Sequence, residues 1–349
     1  MRITQQIFNA STKAAFGALL GALLAVPVGA ARAEEKTYVM KITLPTLNDA
    51  PHLLAKNFAA AVERDSGGRI KAEVYPASQL GSIPRQIEGV QFGALQVAVI
   101  PSEFFSGVDE RFEVIAAPGM VDSLEHGQRI AADPAVLKLM LGLGVDKGLH
   151  GAGMFIAEPN TIATKTPISH LSDFQGKKIR IFASEFESAA FNRLGATPVA
   201  MTLADVLPAL QQGAIDGAMA GVPVFAAFHY QDAAKYITET NQPSIFLVLE
   251  VSKKWYESLP GDLQRVIDKD AAVETVAINP AAADMLNKAR AAWVGGGGEL
   301  NSLPADEQAA MIRTIASVGE DVSKSKPAVH DAYEIVAAAA RRTRQAPTQ

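Results

Sequence analysis

Between residues 36 and 100 the chain alternates between strand-like and helix-like patterns, and this alternation constrains its fold more than any other feature. Every second residue is apolar at the start of the segment, as in a strand with one buried face: Tyr38, Met40, Ile42 and Leu44. Helical spacing follows until the glycine pair at 67–68, and two further strand-like segments at 70–74 and 95–100 flank a second helix-like one. The order β-α-β-α-β predicts a mostly parallel sheet covered by helices.

The second half of the chain repeats this theme and then becomes helical. Strand-like segments lie at 154–157 and 178–182, and helix-like segments lie at 184–194 and 202–212. A long helical run from 260 to 293 has a candidate break at Asn279-Pro280, and the four glycines at 295–298 are predicted to form a flexible connector. Since a single hydrophobic core stops growing near roughly 250 to 300 residues, we predict an α/β protein with two domains.

The amino terminus has the pattern of a secretory signal peptide. Basic Arg2 and Lys13 precede an apolar run at 14–28, and Ala31-Arg32-Ala33 supplies the small residues of a cleavage site. The run is short for a spanning helix, which needs roughly 20 apolar residues. We therefore predict that residues 1–33 are a cleaved signal peptide, that the mature chain begins near Glu34, and that residues 346–349 form a disordered tail.

Composition narrows the chemistry that the chain can perform. It contains no cysteine, which excludes disulfides and thiolate metal sites, and its net charge of −5 gives no basic face for nucleic acid. The sequence also lacks a nucleophile-elbow serine, zinc-type histidine spacing, a dinucleotide glycine fingerprint and an EF-hand pattern. No cofactor, metal ion, catalytic residue or nucleic-acid partner is therefore predicted.

Arg180 is the first candidate for ligand binding. Strand alternation places it on the same face as Phe182, and the segment Ser184-Glu185-Phe186-Glu187 has the capping-box spacing of a helix start. The arginine therefore lies near the carboxyl end of a strand, where open α/β sheets bind ligands, and its guanidinium matches a carboxylate or a phosphate. From this segment alone, a salt bridge between domains or on the surface explains the arginine equally well.

Several blocks of the chain resemble those of one known protein family. They lie in order between residues 39 and 267, at 58–70, 76–81, 86–96, 173–180, 194–201, 209–217 and 255–264. The second of these is Pro76-Ala77-Ser78-Gln79-Leu80-Gly81, and the fourth ends in Lys178-Ile179-Arg180. Their order and spacing are similar to those of the substrate-binding proteins of tripartite ATP-independent periplasmic (TRAP) transporters, the DctP-like family.

The resemblance implies a periplasmic binding protein fold of type II, with hinge strands and long helices that span both domains. The expected boundaries are 36–157 with 246–285 for one domain and 158–245 with 286–345 for the other. A monomer in the periplasm would capture a small organic carboxylate in the cleft between the domains and deliver it to the membrane subunits of a TRAP permease, without catalysis. Two alternatives are a secreted α/β enzyme acting on a small organic acid and a ligand-binding partner of a sensor kinase.

The resemblance also suggests which residues contact the ligand. In the family, the arginine of the Lys-Ile-Arg block pairs with the ligand carboxylate, and that residue is Arg180 here. The other predicted contacts are Phe182 as a packing wall, Asn241 or Gln242 as an amide from the crossing between domains, and Pro101 with Ser102 from the end of a strand in the opposite domain. Asn160 and Ala220 are predicted contacts at positions where the chain departs from the family. Several polar contacts of the family are replaced here by apolar or small residues, near Pro101, Phe104 and Ala220. This favours a smaller or more apolar carboxylate over a sugar acid, since unpaired buried donors cost roughly 1–3 kcal/mol each.

Overall fold

The computed structural model describes residues 36–240 and 242–344, which form two β-sheets flanked by helices. The strands are β1 (Tyr38–Thr43), β2 (Ile70–Tyr75), β3 (Val97–Pro101), β4 (Leu149–Pro159), β5 (Thr161–Thr164), β6 (Lys178–Ile181), β7 (Thr197–Ala200), β8 (Gly217–Ala220), β9 (Tyr236–Thr238), β10 (Ser244–Ser252) and β11 (Glu299–Asn301). The predicted signal peptide and the predicted tail at 346–349 lie outside the described residues.

Thirteen α-helices and several short 3-10 turns connect these strands in the described part of the chain. The α-helices are α1 (Ala50–Asp65), α2 (Ile83–Phe92), α3 (Leu124–Ala131), α4 (Pro134–Met140), α5 (Glu185–Arg193), α6 (Leu203–Gln212), α7 (Val222–Ala227), α8 (Lys253–Glu257), α9 (Gly261–Ala277), α10 (Asn279–Gly295), α11 (Ala305–Ile315), α12 (Val318–Ser323) and α13 (Pro327–Thr343). Within the described ranges, none of them combines the length and apolar character needed to cross a bilayer.

The first sheet has the strand order β2-β1-β3-β10-β4. Its first three strands are parallel, as the β-α-β-α-β pattern predicts, but β10 runs antiparallel between β3 and β4. The second sheet, β11-β9-β5-β8-β6-β7, likewise contains one strand, β5, that is antiparallel to both neighbours. The prediction of two α/β sheets is confirmed, and each sheet is mixed because one of its strands arrives from the other sheet.

The chain crosses between the sheets at two adjacent places. The first sheet's β4 ends at Pro159 and the second sheet's β5 begins at Thr161, so that Asn160 alone separates them. The chain returns through residues 239–243 between β9 and β10. The backbone N–H of Asn160 donates to the Pro243 carbonyl over 2.9 Å, and therefore the two crossings are hydrogen-bonded to each other.

Helices from the end of the chain pack on both sheets. The long predicted helical run is broken at Ile278, one residue before the expected position, into α9 and α10. Helix α9 contacts α1 and β4, whereas α10 contacts α7 and β11, so the pair spans both sheets. The last helix, α13, buries one face against α3 and α4, and α3 in turn lies on β4. The exact domain boundaries stay a prediction.

Gly295 ends α10, and the three glycines that follow it form a tight turn, which corrects the prediction of a flexible connector. Gly297 has a left-handed backbone with φ of 87°, and the N–H of Gly298 donates to the Trp293 carbonyl over 2.9 Å. A β-carbon at position 298 would overlap the ring of Trp293, which is fully buried. Glycine is needed here because the backbone turns back over an indole and enters β11 directly.

Candidate functional site

A cavity lies between the two sheets, at the carboxyl ends of strands from both. Residues after β1 and β3 form one side, and residues at the ends of β6 and β8 form the other. The cavity has a volume of about 40 Å³. Its lining is mainly apolar, with four polar side chains: Thr46, Asp49, Glu158 and Arg180. The position agrees with the rule that open α/β sheets bind ligands beyond the carboxyl ends of their strands.

Arg180 extends from β6 into this cavity and is held in a fixed orientation. Its side chain is almost fully buried, at 1% exposure. The Nε–H donates to the Met201 carbonyl over 2.9 Å, and Nη1 donates to the Met219 carbonyl over 2.7 Å. The guanidinium carbon lies 4.7 Å from the centre of the Phe182 ring, at cation–π distance. These contacts leave Nη2 without a hydrogen-bond partner among the described residues.

No carboxylate of the described residues lies within 4.0 Å of Arg180, which excludes a salt bridge within that part of the chain. Burial lowers the pKa of the guanidinium to about 10, while the nearby Glu187, Tyr230 and Glu103 act in the opposite direction. Arg180 therefore keeps its charge at neutral pH. A buried and unpaired cation is costly in a folded protein, so this arrangement favours an anion as its partner.

The acids nearest to Arg180 do not neutralise it. Burial raises the pKa of Glu103 to about 8, and burial together with Glu103 raises the pKa of Glu187 well above its ordinary value. Glu187 accepts a hydrogen bond from the Phe182 N–H over 2.9 Å, and its other oxygen has no partner among the described residues. Both shifts favour the uncharged form of these carboxyls, so the positive charge of Arg180 remains available.

The other end of the cavity is acidic. Glu158 lies near the end of β4 with only 3% of its surface exposed, and it lines the cavity. Its carboxyl group has no hydrogen-bond partner among the described residues. Burial, followed by the charge of Asp49, raises the pKa of Glu158 well above its ordinary value. Asp49 caps α1 by accepting from the His52 N–H over 3.1 Å, and burial raises its pKa to about 6.

Gly221, which follows β8, provides the space that the Glu158 carboxyl group occupies. A β-carbon at position 221 would overlap three side-chain atoms of Glu158: Oε1, Cδ and Cγ. The φ of this glycine is −79°, which any residue adopts. Glycine is therefore required at this position for close approach and not for backbone conformation.

Four of the predicted contact residues line the cavity, and three others lie elsewhere in the described part of the chain. The four are Arg180, Phe182, Pro101 and Ala220. Phe182 also stacks on Phe104 with ring centres 5.4 Å apart, so that aromatic side chains from both sides of the cavity meet. Ser102 is buried beside Glu103, with 3.4 Å between its Oγ and Glu103 Oε2, and is not part of the lining.

Gln242 and Asn160 belong to the crossings and do not line the cavity. Gln242 accepts from the Gly119 N–H over 3.0 Å and donates to the Val121 carbonyl over 2.7 Å, which commits both ends of its amide. Asn160 is fully buried between β4 and β5. Asn241 lies outside the described residues. Ligand contact by any of the predicted residues stays a prediction.

Sequence reasoning missed the acidic end of the cavity. Asp49 has the sequence signal of a helix N-cap, Asp followed by Ala50-Pro51, and this structural role conceals its position beside the cavity. Glu158 carries a clearer signal, because it follows the apolar residues of a buried strand and directly precedes Pro159. An acid at the end of a buried strand is a candidate for a site in the same sense as Arg180.

Comparison with known proteins agrees with this geometry. The family model for bacterial extracellular solute-binding proteins, family 7 (DctP), matches residues 44–325. The chain belongs to this family. The C4-dicarboxylate-binding periplasmic protein DctP of Rhodobacter capsulatus is 28% identical over 317 residues, which cover 90% of this chain and 95% of the relative. Proteins of this family bind solutes outside the cytoplasm for transport and are not enzymes.

Solved structures share the fold of this solute-binding protein. A TRAP periplasmic solute-binding protein of Desulfovibrio salexigens with bound orotic acid has a TM-score of 0.83 at 18% identity, covering 88% of this chain and 100% of that one. One from Shewanella oneidensis with bound succinate has a TM-score of 0.80 at 23% identity, covering 87% and 99%. The predicted family and the two-domain α/β fold are confirmed.

Proposed function

We propose that this solute-binding protein captures a small organic carboxylate in the cavity between its two sheets and delivers it to the membrane subunits of a TRAP permease. The observation that carries the proposal is Arg180: a buried guanidinium, oriented by two backbone carbonyls, unpaired with any acid of the described residues, and directed into the cavity. A carboxylate is the natural partner of such a planar donor. The predicted signal peptide would place the protein in the periplasm.

Both sides of the cavity are expected to contact the ligand and to close on it. Phe104 follows β3 of the first sheet and Phe182 follows β6 of the second, and their rings stack beside Arg180. A ligand shifts the balance between open and closed forms only through contacts that differ between them, so ligand contact from both sides is required. The mainly apolar lining favours a compact acid with few hydroxyl groups.

Titration calorimetry with a panel of small mono- and dicarboxylates tests the proposal. Arg180→Ala is expected to abolish detectable binding of any acid that binds the unchanged protein, and Arg180→Lys to weaken it about tenfold or more, since an ammonium group cannot reproduce the planar fork. Arg193→Lys is the matched control, because Arg193 pairs with Asp321 on the surface. Unchanged affinity in Arg180→Ala would remove this residue from the site.

A further inference from the structure

The cavity has two ends of opposite character, and the proposed function uses only one of them. Arg180 lies at the positive end, beside Phe182. Glu158 and Asp49 lie at the other end, and both line the same cavity. The remaining lining is mainly proline and aliphatic side chains, including Pro45, Leu203, Val224, Ile245 and Leu247. A ligand that fits this lining has an apolar body with a polar group at each end.

Arg180 and Glu158 do not pair with each other, since no nitrogen of the guanidinium lies within 4.0 Å of a carboxyl oxygen of Glu158. The ionisable groups that influence Arg180 are Glu187, Tyr230 and Glu103, and Glu158 is not among them. Glu158 responds to Asp49 and to burial. A salt bridge between Arg180 and Glu158 therefore does not satisfy the acidic end. Each end needs a partner of its own.

Glu158 has the features of a group built to receive a ligand. It is more than nine-tenths buried, faces the cavity, and has no hydrogen-bond partner among the described residues. Gly221 leaves the space that its carboxyl group fills, which fixes the side chain against the end of β8. A buried carboxyl without a partner costs free energy, and this cost is recovered when a donor from a ligand binds to it.

The presence of a second acid favours a positively charged donor over a neutral one. Asp49 lies close enough to Glu158 to raise its pKa, so the two carboxyls repel when both are ionised. A hydroxyl group leaves both this repulsion and the cost of burying the charge in place, so the protonated form of Glu158 stays favoured, whereas a cation offsets both and allows the carboxyl group to ionise. Among the described residues no group of three or more His, Cys, Asp or Glu side chains could hold a metal ion, which favours an organic cation.

From this geometry we infer that the ligand is a zwitterion: an acid whose carboxylate pairs with Arg180 and whose ammonium or amidinium group binds Glu158 and Asp49 across an apolar body. This inference rests on the proposed function and narrows its substrate class from carboxylates in general to amino acids in the broad sense. Selectivity against plain acids follows, because they leave Glu158 without a donor.

Matched ligand triplets test the inference. Propanoate, butanoate and pentanoate are each compared with the same acid bearing a terminal hydroxyl and a terminal ammonium group, by titration calorimetry on the mature chain near neutral pH. In at least one triplet the ammonium member is expected to bind about tenfold or more tightly than the other two, the worth of one charge-assisted hydrogen bond. Hydroxyl or unsubstituted members that bind as tightly at every length would overturn the inference.

Variants separate this outcome from that of the proposed function. Glu158→Gln is expected to reduce the preference for the ammonium member to within about threefold while the plain acid still binds, because the amide keeps the size of the side chain but cannot ionise to pair with an ammonium group. Asp49→Asn is a second test. This variant preserves the helix cap and is expected to weaken the preference for the ammonium member in part. A preference that survives both changes overturns the inference, whereas binding of no carboxylate by the unchanged protein counts against the proposed function itself.

Glu250→Gln is the matched control for these variants. Glu250 is also a fully buried glutamate with no hydrogen-bond partner among the described residues, but it lies within β10 and does not line the cavity. The change is expected to leave the ligand preference within about twofold of that of the unchanged protein, since it alters a buried acid at a distance from the ligand. A loss of preference in Glu250→Gln as large as that in Glu158→Gln would show a general effect of buried acids and would overturn the assignment of Glu158.

Discussion

The two ends of the cavity treat a buried charged group in opposite ways. Arg180 is anchored by the Met201 and Met219 carbonyls and by the Phe182 ring, and it lacks only a counter-charge. Glu158 has no anchor of this kind among the described residues, and a glycine simply leaves it space. The positive end is oriented before a ligand arrives, whereas the acidic end acquires its first partner from the ligand. The fixed orientation of Arg180 contributes to affinity, and the unpaired carboxyl group of Glu158 contributes to selectivity between ligands. The two properties therefore have separate structural origins.

The largest effect is expected from filling the space at Gly221. Gly221→Ala places a β-carbon where the Glu158 side chain lies, and should cost about 1–3 kcal/mol in free energy of unfolding or push the carboxyl group into the cavity and block the ligand. Adding Glu158→Ala removes all three overlapping atoms and should restore both stability and binding of plain carboxylates. Denaturant unfolding and calorimetry of the two single variants and the double variant measure this coupling. Additive effects would mean that Gly221 and Glu158 do not contact.

A smaller effect is expected from removing the carboxyl group of Glu158, which lacks a hydrogen-bond partner among the described residues. Glu158→Met keeps the length of the side chain but deletes the buried carboxyl group, and should raise the free energy of unfolding of the unliganded protein by about 1–2 kcal/mol near neutral pH. Arg180→Met should give no such gain, because it leaves the Met201 and Met219 carbonyls without their donor. Denaturant midpoints compare the two. A loss of stability in Glu158→Met would reveal a partner that anchors this carboxyl group.

The smallest effect concerns pH. The pKa of Glu158 is raised in the folded chain, so the folded state holds a proton that the unfolded state releases above the ordinary glutamate value of 4.5. The contribution of Glu158 to stability should therefore fall as the pH rises above about 4.5 towards the raised pKa of the folded state. Glu158→Gln should flatten this fall by at most about 1.4 kcal/mol per pH unit, the limit for one proton.

Thermal melts of the unliganded protein at several pH values measure the difference between the two chains. Glu103, whose pKa is raised to about 8, contributes a fall of the same sign in both, so that only the difference reports on Glu158. Identical pH profiles would mean that the folded state does not raise the pKa of Glu158.

Local pattern predicted much of the fold. The alternation in β1 and the helical spacing of α1 need only near neighbours in the sequence, and the predicted segments agree with the observed ones to within a few residues. The antiparallel insertion of β10 was not predictable in this way, because a strand that is buried on both faces does not encode the direction of its neighbours. The turn at 296–298 was predicted wrongly as part of a flexible connector, because a buried indole beneath a turn leaves no local signal in the sequence.

The site divides along the same line. Arg180 could be predicted because an arginine in an apolar strand is conspicuous and because the family motif surrounds it. The local signal of Glu158 does not show that it shares a cavity with Arg180, because that arrangement involves Gly221 and Asp49, which approach Glu158 only in three dimensions. Gln242 was predicted to contact the ligand, and in the structure its amide holds the loop at 119–121 instead of lining the cavity. Its contact with a ligand stays a prediction.

The interleaving of distant segments sets the order in which the molecule can be completed. The first sheet includes β10 between β3 and β4, and α13, the last helix described, covers α3 and α4, which lie on β4. A chain that emerges amino end first would thus hold three parallel strands with an exposed, unpaired edge until β10 arrives, and an uncovered apolar flank until α13 does. The first sheet can therefore be completed only after nearly the whole chain has been synthesised.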